Sequence, residues 1–299
     1  MQILPSEDFR KASKQFAAMM SRLVSDRPSD AFFESSHREI WTELNGGGWH
    51  LAGHGPNGAS LLELAELSRV WGRHLVPLPF VESTLTHRWL DESVDGSLLS
   101  APLTFAVGEG ASRIVPFAAL EDARLLSGAD PQVLMLAHDA RWDDDGGGGI
   151  APSFPLTRLK PGSQVWGPTS ATECSEYAAL LCAQTVGAAE IAFEMAVEYA
   201  NVREQFGRQI GKFQAVRHRL SDMYRDIQFA RTGVIFATQV ISESMAASIA
   251  VCHLSRSVIE GSIQVHGGIG FTWDLGLHFY LRHVQAAEKV IRTLDRQTG

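Results

Sequence analysis

A long apolar helical run ends in an arginine, a glutamine, a phenylalanine and a glycine in "YANVREQFGRQIGKFQ", residues 199–214. A second break comes in "IQVHGGIGFTWD", residues 263–274, where Gln264 and His266 precede the paired glycines Gly267 and Gly268. Arg203 carries a planar fork of donors that bonds two phosphate oxygens at once. Phe206 offers a ring face to a purine, and Gln264 has both donors and acceptors for a base edge. Paired glycines carry no side chains, so a ligand can approach the backbone and use its amides. The chemistry these residues suit is the binding of a nucleotide pyrophosphate at helix ends. A glycine after a phenylalanine is also a common helix stop by itself. Two such breaks in one bundle say more than either alone.

Helices must position these residues. From Phe213 the apolar positions Val216, Leu220, Met223, Ile227, Ala230, Val234, Ala237 and Ile241 follow at steps of three and four. That spacing predicts a seam packed against antiparallel neighbours. The preceding helix repeats the pattern with Cys182, Val186, Ala189, Phe193 and Ala196. A third, "MAASIAVCHLSRSVIEGSIQVHG", is apolar on most sides and is expected to be the most buried. Near the start of the chain, "EDFRKASKQFAAMMSRLV" sets Phe9, Phe16, Met19 and Leu23 on one helical face. Ser60 is placed to cap the helix "LLELAELSRVWGRHL", which Pro77 and Pro79 should end, and "FVESTLTHRWLDESV" resumes the helical pattern.

The middle of the chain changes texture. "LTFAV", "RIVPFAAL", "QVLMLAH" and "QVWG" are apolar runs of strand length between turn residues. "DDDGGGG", residues 143–149, lacks the spacing of a dinucleotide fingerprint and reads as a hairpin tip rather than a calcium site. "ESSH", residues 34–37, is a single Glu-x-x-His, whereas a di-iron bundle needs two and further glutamates; no metal site is expected. The fold class is therefore mainly α with a small β domain. It divides into an N-terminal helical domain (1–94), a reduced β domain (95–168) and a C-terminal four-helix bundle (169–299).

The chain of 299 residues is 45% hydrophobic and 20% charged, with a net charge of -8. An acidic chain is a poor partner for nucleic acid or an anionic membrane, although local arginines still hold small anions. Cys174, Cys182 and Cys252 lack metal-ligand spacing and read as buried reduced thiols. The N-terminal stretch lacks the apolar core of a signal peptide, so a soluble cytoplasmic protein is expected.

"YANVREQFGRQIGKFQAVRHRLSDM" followed by "QVHGGIGFTWDLGLHFYLRH" resembles the C-terminal helical domain of the acyl-CoA dehydrogenases. "WTELNGGGWHLAG" and "LLELAELSRVWGRHLVPLPF" resemble that family's N-terminal helical domain more loosely. The resemblance implies FAD between the β domain and the C-terminal bundle, an acyl-CoA substrate, and an electron-transfer flavoprotein as acceptor. It also implies that residues of both breaks cross a subunit interface to hold the ADP half of a partner's FAD. Those roles fall on Arg203, Gln205, Phe206, Gln264, Gly267 and Gly268, with Phe213 and Gln214 in the same turn of the motif.

The family reaction takes the α-hydrogen of the thioester as a proton while the β-hydrogen leaves as hydride, so a positioned carboxylate is needed. The Glu-Gly turn that most members carry after the arginine matching Arg282 is missing; the stretch reads "RHVQAAEKVIRTLDRQTG". Glu288 and Asp295 lie nearby and read as surface charges of a helix. A second group of members carries the base where this chain has Tyr177. The neighbouring Glu176 reaches that direction only if its helix starts irregularly, since one residue is about 100° of rotation. No residue is therefore assigned as the base. The β domain lacks the family's Thr-Glu-Pro, Gly-Ser-Asp and Trp-Ile-Thr segments. Short chains with "VPFAAL", no evident base and "GGIGFTWD" resemble the small subunits of heteromeric acyl-CoA dehydrogenases from bacterial steroid degradation. The resemblance implies a heterotetramer with a larger dehydrogenase subunit and a bulky, steroid-like acyl-CoA. A self-sufficient homo-oligomer using Glu176, and a flavin-free scaffold of the same fold, remain as alternatives.

Overall fold

A computed structural model describes residues 4–24, 34–90, 100–110, 113–118, 123–127, 135–136, 151–160 and 165–298. The "DDDGGGG" stretch and the expected boundary at 94 lie outside them. Four helices come first: α1 (Glu7–Leu23), α2 (Glu34–Gly46), α3 (Leu61–Gly72) and α4 (Phe80–Trp89). Ser6 caps α1 and also donates its hydroxyl to Glu63 at 2.6 Å, which ties α1 to α3. Ser60 forms a full capping box with Glu63, as its position before an apolar run suggests. α3 stops at Gly72, ahead of the two prolines. Of the α1 face read from the sequence, Phe16 is buried, with Ser13 and Met20 beside it; Phe9, Met19 and Leu23 sit at its margin.

Among the described residues five short strands follow: β1 (Leu103–Thr104), β2 (Ile114–Pro116), β3 (Arg124–Ser127), β4 (Met135–Leu136) and β5 (Leu156–Arg158). β1 pairs parallel to β3, which pairs antiparallel to β4, while β2 and β5 form a separate antiparallel pair. Three of the four runs read as strands contain one. "QVWG" does not: Trp166 gives its carbonyl to the Ala106 amide without forming a strand.

The C-terminal half is a bundle of α5 (Ala171–Val202), α6 (Gln214–Gln239), α7 (Ser244–His266) and α8 (Leu277–Thr298). α5 and α7 run parallel: the Ser244 hydroxyl donates to the Ser175 carbonyl at one end, Thr185 reaches Ser255 in the middle, and Tyr199 stacks on His266 at the other. The most buried helix is α5, not α7. Every residue from Tyr177 to Glu190 is buried, because α3, α6, α7 and α8 all pack on it. α5 is long and apolar enough to cross a membrane, but its apolar surface lies inside the bundle. The three cysteines are buried as expected, and burial pushes the Cys174 thiol up to about 11 and Cys182 to about 12.

α3 and α5 meet backbone to backbone. A Cβ on Gly187 would fall 1.9 Å from the Arg69 carbonyl oxygen, and one on Gly72 would fall 2.0 Å from that of Gln184. This crossing joins the N-terminal helices to the bundle in one apolar core that runs from Phe16 to Leu294.

Candidate functional site

The first break is a hairpin. After Val202 the chain forms β6 (Glu204–Gln205) and β7 (Arg208–Gln209), antiparallel, with Phe206 and Gly207 at the turn. Both turn residues have positive φ, 52° and 75°, the conformation of a two-residue type I′ turn. Phenylalanine is poorly suited to that position, where asparagine, aspartate or glycine is usual. Its ring is nevertheless 91% exposed, held out by the turn rather than by packing. Phe213 meets it edge-on at 6.2 Å and carries the Arg208 guanidinium at 4.2 Å over its own face. The Arg203 carbonyl accepts from the Ile210 amide at 2.8 Å and fixes the base of the hairpin.

The second break begins at Gly267, whose φ of 64° and ψ of -139° only glycine adopts readily. A Cβ on Gly267 or Gly268 would meet nothing within 4 Å, so this backbone faces open space. The Tyr199–His266 stack, with centroids 4.5 Å apart, pins the end of α7 beside the end of α5. His266 is oriented by its Nδ1, 2.8 Å from the Ser262 carbonyl. The two breaks therefore lie at one end of the bundle. Gln214 begins α6 at the same end. Gln264 is exposed and lines a cleft of about 550 Å³ between α6 and α7, which also contains His218, Arg219, Asp222, Asp226 and Glu260.

Arg203, Arg208 and Lys212 bring cations to this end of the bundle. Arg203 is exposed and has no acidic partner among the described residues. α6 starts with no capping side chain and no acid in its first turn. Its first amides are thus free to bind an anion, with the helix dipole in support. Val202, Ile269, Phe271 and Trp273 are exposed on the flanking segments and add apolar surface. An unpaired guanidinium, open glycine backbone, free helix amides and exposed aromatics fit the adenosine diphosphate half of FAD.

Residues 170–289 match the family described as acyl-CoA dehydrogenase, C-terminal domain. The chain is also 29% identical over 293 residues to acyl-CoA dehydrogenase IpdE2 of Mycobacterium tuberculosis, covering 93% of this chain and 87% of that protein. This chain's C-terminal bundle is an acyl-CoA dehydrogenase C-terminal domain. The fold of the chain is that of solved chains with low sequence identity. The ChsE4-ChsE5 complex from Mycobacterium tuberculosis superposes with a TM-score of 0.74 at 21% identity, over 99% of this chain and 96% of that one. A variant of the Tcur3481-Tcur3483 steroid ACAD gives 0.74 at 20%, over 97% of each chain.

An acyl-CoA dehydrogenase needs a carboxylate, and the structure places four acids near the positions considered. Glu288 is not a surface charge: it is buried, and its carboxylate lies 3.3 Å from Arg256, 2.7 Å from Arg292 and 3.3 Å from His253. Asp295 is exposed, as read. α5 starts regularly at a Ser170–Glu173 capping box, so Glu176 and Tyr177 point different ways. Glu176 accepts from Trp89 Nε1 at 2.7 Å and Arg88 Nε at 3.3 Å, and lines a cavity of about 400 Å³ with Gly53, Gly55, Ser170 and Thr172.

Tyr177 is fully buried and donates its phenol to Glu82 Oε1 at 2.5 Å. No sequence signal marked Glu82, which sits in the apolar run "PFVESTLTH". Its other oxygen, Oε2, has no hydrogen-bond partner among the described residues. Burial pushes its carboxyl up to about 7, only partly offset by the Tyr177 hydrogen bond. A carboxyl raised from 4.5 to about 7 on folding stabilises the protein fully below pH 4.5 and loses that contribution as pH rises to 7. Glu82→Gln should remove this term. Its unfolding free energy relative to the parent is expected to rise by a few kcal/mol between pH 4.5 and 7, measured by urea titration at each pH. A constant difference across that range would show that Glu82 ionises normally.

Proposed function

We propose that the chain is a subunit of an FAD-dependent acyl-CoA dehydrogenase that works with a larger dehydrogenase subunit on a bulky, steroid-like acyl-CoA thioester. The observation that carries this reading is one end of the bundle: Arg203 without an acid, beside bare Gly267–Gly268 and the free N-terminus of α6. In this reading Arg203 and the α6 amides bind pyrophosphate oxygens, Phe206 and Phe213 cover the adenine, and Gln205, Gln214 and Gln264 supply polar contacts. The chemistry that FAD supplies when bound is acceptance of the substrate's β-hydrogen as a hydride. The α-proton has no evident taker here, because Tyr177 stands at the second base position and is locked to Glu82. The larger subunit then supplies the base, and an electron-transfer flavoprotein receives the electrons. Exposed Val202, Phe206, Ile269, Phe271 and Trp273 give a partner an apolar surface to cover. The substrate class rests on the likeness to the Tcur3481-Tcur3483 steroid ACAD, and the paired assembly on that to the ChsE4-ChsE5 complex. The three-domain division at 94 and 168 belongs to the same reading.

The test is flavin content and native mass, with the chain purified alone and after co-expression with a larger acyl-CoA dehydrogenase subunit. The expected result is a colourless protein alone and a yellow assembly of two large and two small subunits together. A yellow homo-oligomer that turns over acyl-CoA without a partner would overturn the heteromeric reading.

One observation favours that second reading: Glu176 lines a cavity. Its carboxylate is nevertheless held by Trp89 and Arg88, and Glu176→Gln keeps an acceptor for Trp89. Turnover of the assembled enzyme is expected to change by less than about twofold. Loss of the general base would instead cost at least about a hundredfold, and that result would make Glu176 the base.

A further inference from the structure

A second charged cavity lies between the β region and the end of the bundle, away from the break segments. It has a volume of about 320 Å³. Gly108, Glu109, Ile114 and Arg158 form the β side; Lys289, Thr293, Arg296 and Gln297 of α8 form the other. Three cations thus face one carboxylate, in a chain whose net charge is -8. The cations are not spent on ion pairs. Arg158 and Lys289 have no acidic partner among the described residues, and Arg296 donates only to the Arg292 carbonyl, at 3.1 Å. Three cations against one carboxylate leave an excess of positive charge, and an anion that enters relieves their repulsion.

The walls are fixed in place. Gln297 accepts from the Gly108 amide at 3.0 Å and donates to the Pro168 carbonyl at 2.7 Å, so one side chain ties α8 to both neighbouring segments. Buried Ile114 closes the inner side. A cavity whose lining is already joined loses little freedom when a ligand binds.

We propose that this cavity is a binding site for a phosphate group, with Arg158, Lys289 and Arg296 as its ligands. Arginine bonds two oxygens of a phosphate in its plane, and lysine adds a point charge. The group can come from free oligophosphate or from the phosphates of coenzyme A, and neither source depends on the flavin site.

The test is calorimetric titration of the full chain, in its native assembly, with inorganic pyrophosphate and separately with coenzyme A. Binding is expected in the millimolar range or tighter and should weaken as salt is raised. Arg158→Ala and Lys289→Ala should each weaken it about tenfold, while Arg158→Lys keeps most of the affinity. Both side chains are exposed, so the variants are expected to fold. The cavity shares no residue with the break segments, so binding lost in Arg158→Ala with flavin content unchanged separates this site from the flavin site. Tighter binding of coenzyme A than of pyrophosphate would identify the source as the coenzyme; equal binding would identify free oligophosphate. Absence of binding at about 10 mM, or affinity indifferent to both alanine variants, overturns the site.

Discussion

Arg203→Ala is expected to weaken FAD retention roughly ten- to a hundredfold, the loss of one charge-assisted hydrogen bond of about 1.5–3 kcal/mol. The argument rests on where this guanidinium stands. It is exposed at the end of α5, its backbone carbonyl is fixed by Ile210, and no acid competes for it among the described residues. Removing it should cost no fold stability, since it makes no ion pair among the described residues. The measurement is flavin content of the co-expressed assembly after gel filtration at graded dilution, with thermal unfolding as a control. Unaltered retention with the assembly intact would mean that the free cation at this seam does not serve the cofactor. Arg208→Ala provides a contrast. Its guanidinium lies over Phe213, so its loss should free the Phe213 ring and affect binding less.

Local signals in the sequence were legible and non-local ones were not. The capping box at Ser60 and the seam of α6 depend on residues within a few positions of each other, and both are present. β3 and β5 were missed because strands of three or four residues exist only through pairing with distant ones. "QVWG" was misread for a related reason. A Cβ on Gly167 would lie 1.9 Å from the Ala106 carbonyl oxygen, so this run is shaped by close backbone approach rather than by a ladder. The ranking of α7 above α5 confused hydrophobicity with burial. α5 is rich in alanine and carries Gly187, and small side chains let four neighbours approach. At the site, the residue types were visible in the two breaks. Their meeting depends on α5 and α7 running parallel so that Tyr199 reaches His266, which spacing does not encode. Glu82 was invisible because its partner, Tyr177, is 95 residues away.

Glu190→Ala is expected to destabilise the fold by about 3–5 kcal/mol, the usual cost of leaving a buried ion pair without one partner. Glu190 is 3% exposed, yet its carboxylate receives Arg69, Arg73 at 3.3 Å and Arg231 at 2.8 Å. Arg69 is on α3, Arg73 caps its end and Arg231 is on α6, so one carboxylate on α5 joins three helices beside the glycine crossing. Without it, Arg69 retains only Glu66, and Arg231 has no other carboxylate among the described residues. Arg69 and Arg231 would then line one cavity with Leu62, Ala65 and Val234, without the carboxylate that joins them. The transition midpoint should fall by roughly 10 °C. Glu194→Ala is the control: that residue is largely exposed and shares Arg73 alone, so its loss should cost at most about 1 kcal/mol. Equal effects of the two substitutions would show that the α3–α5 junction is held by the glycine contact and its apolar surroundings, with the buried charges contributing nothing.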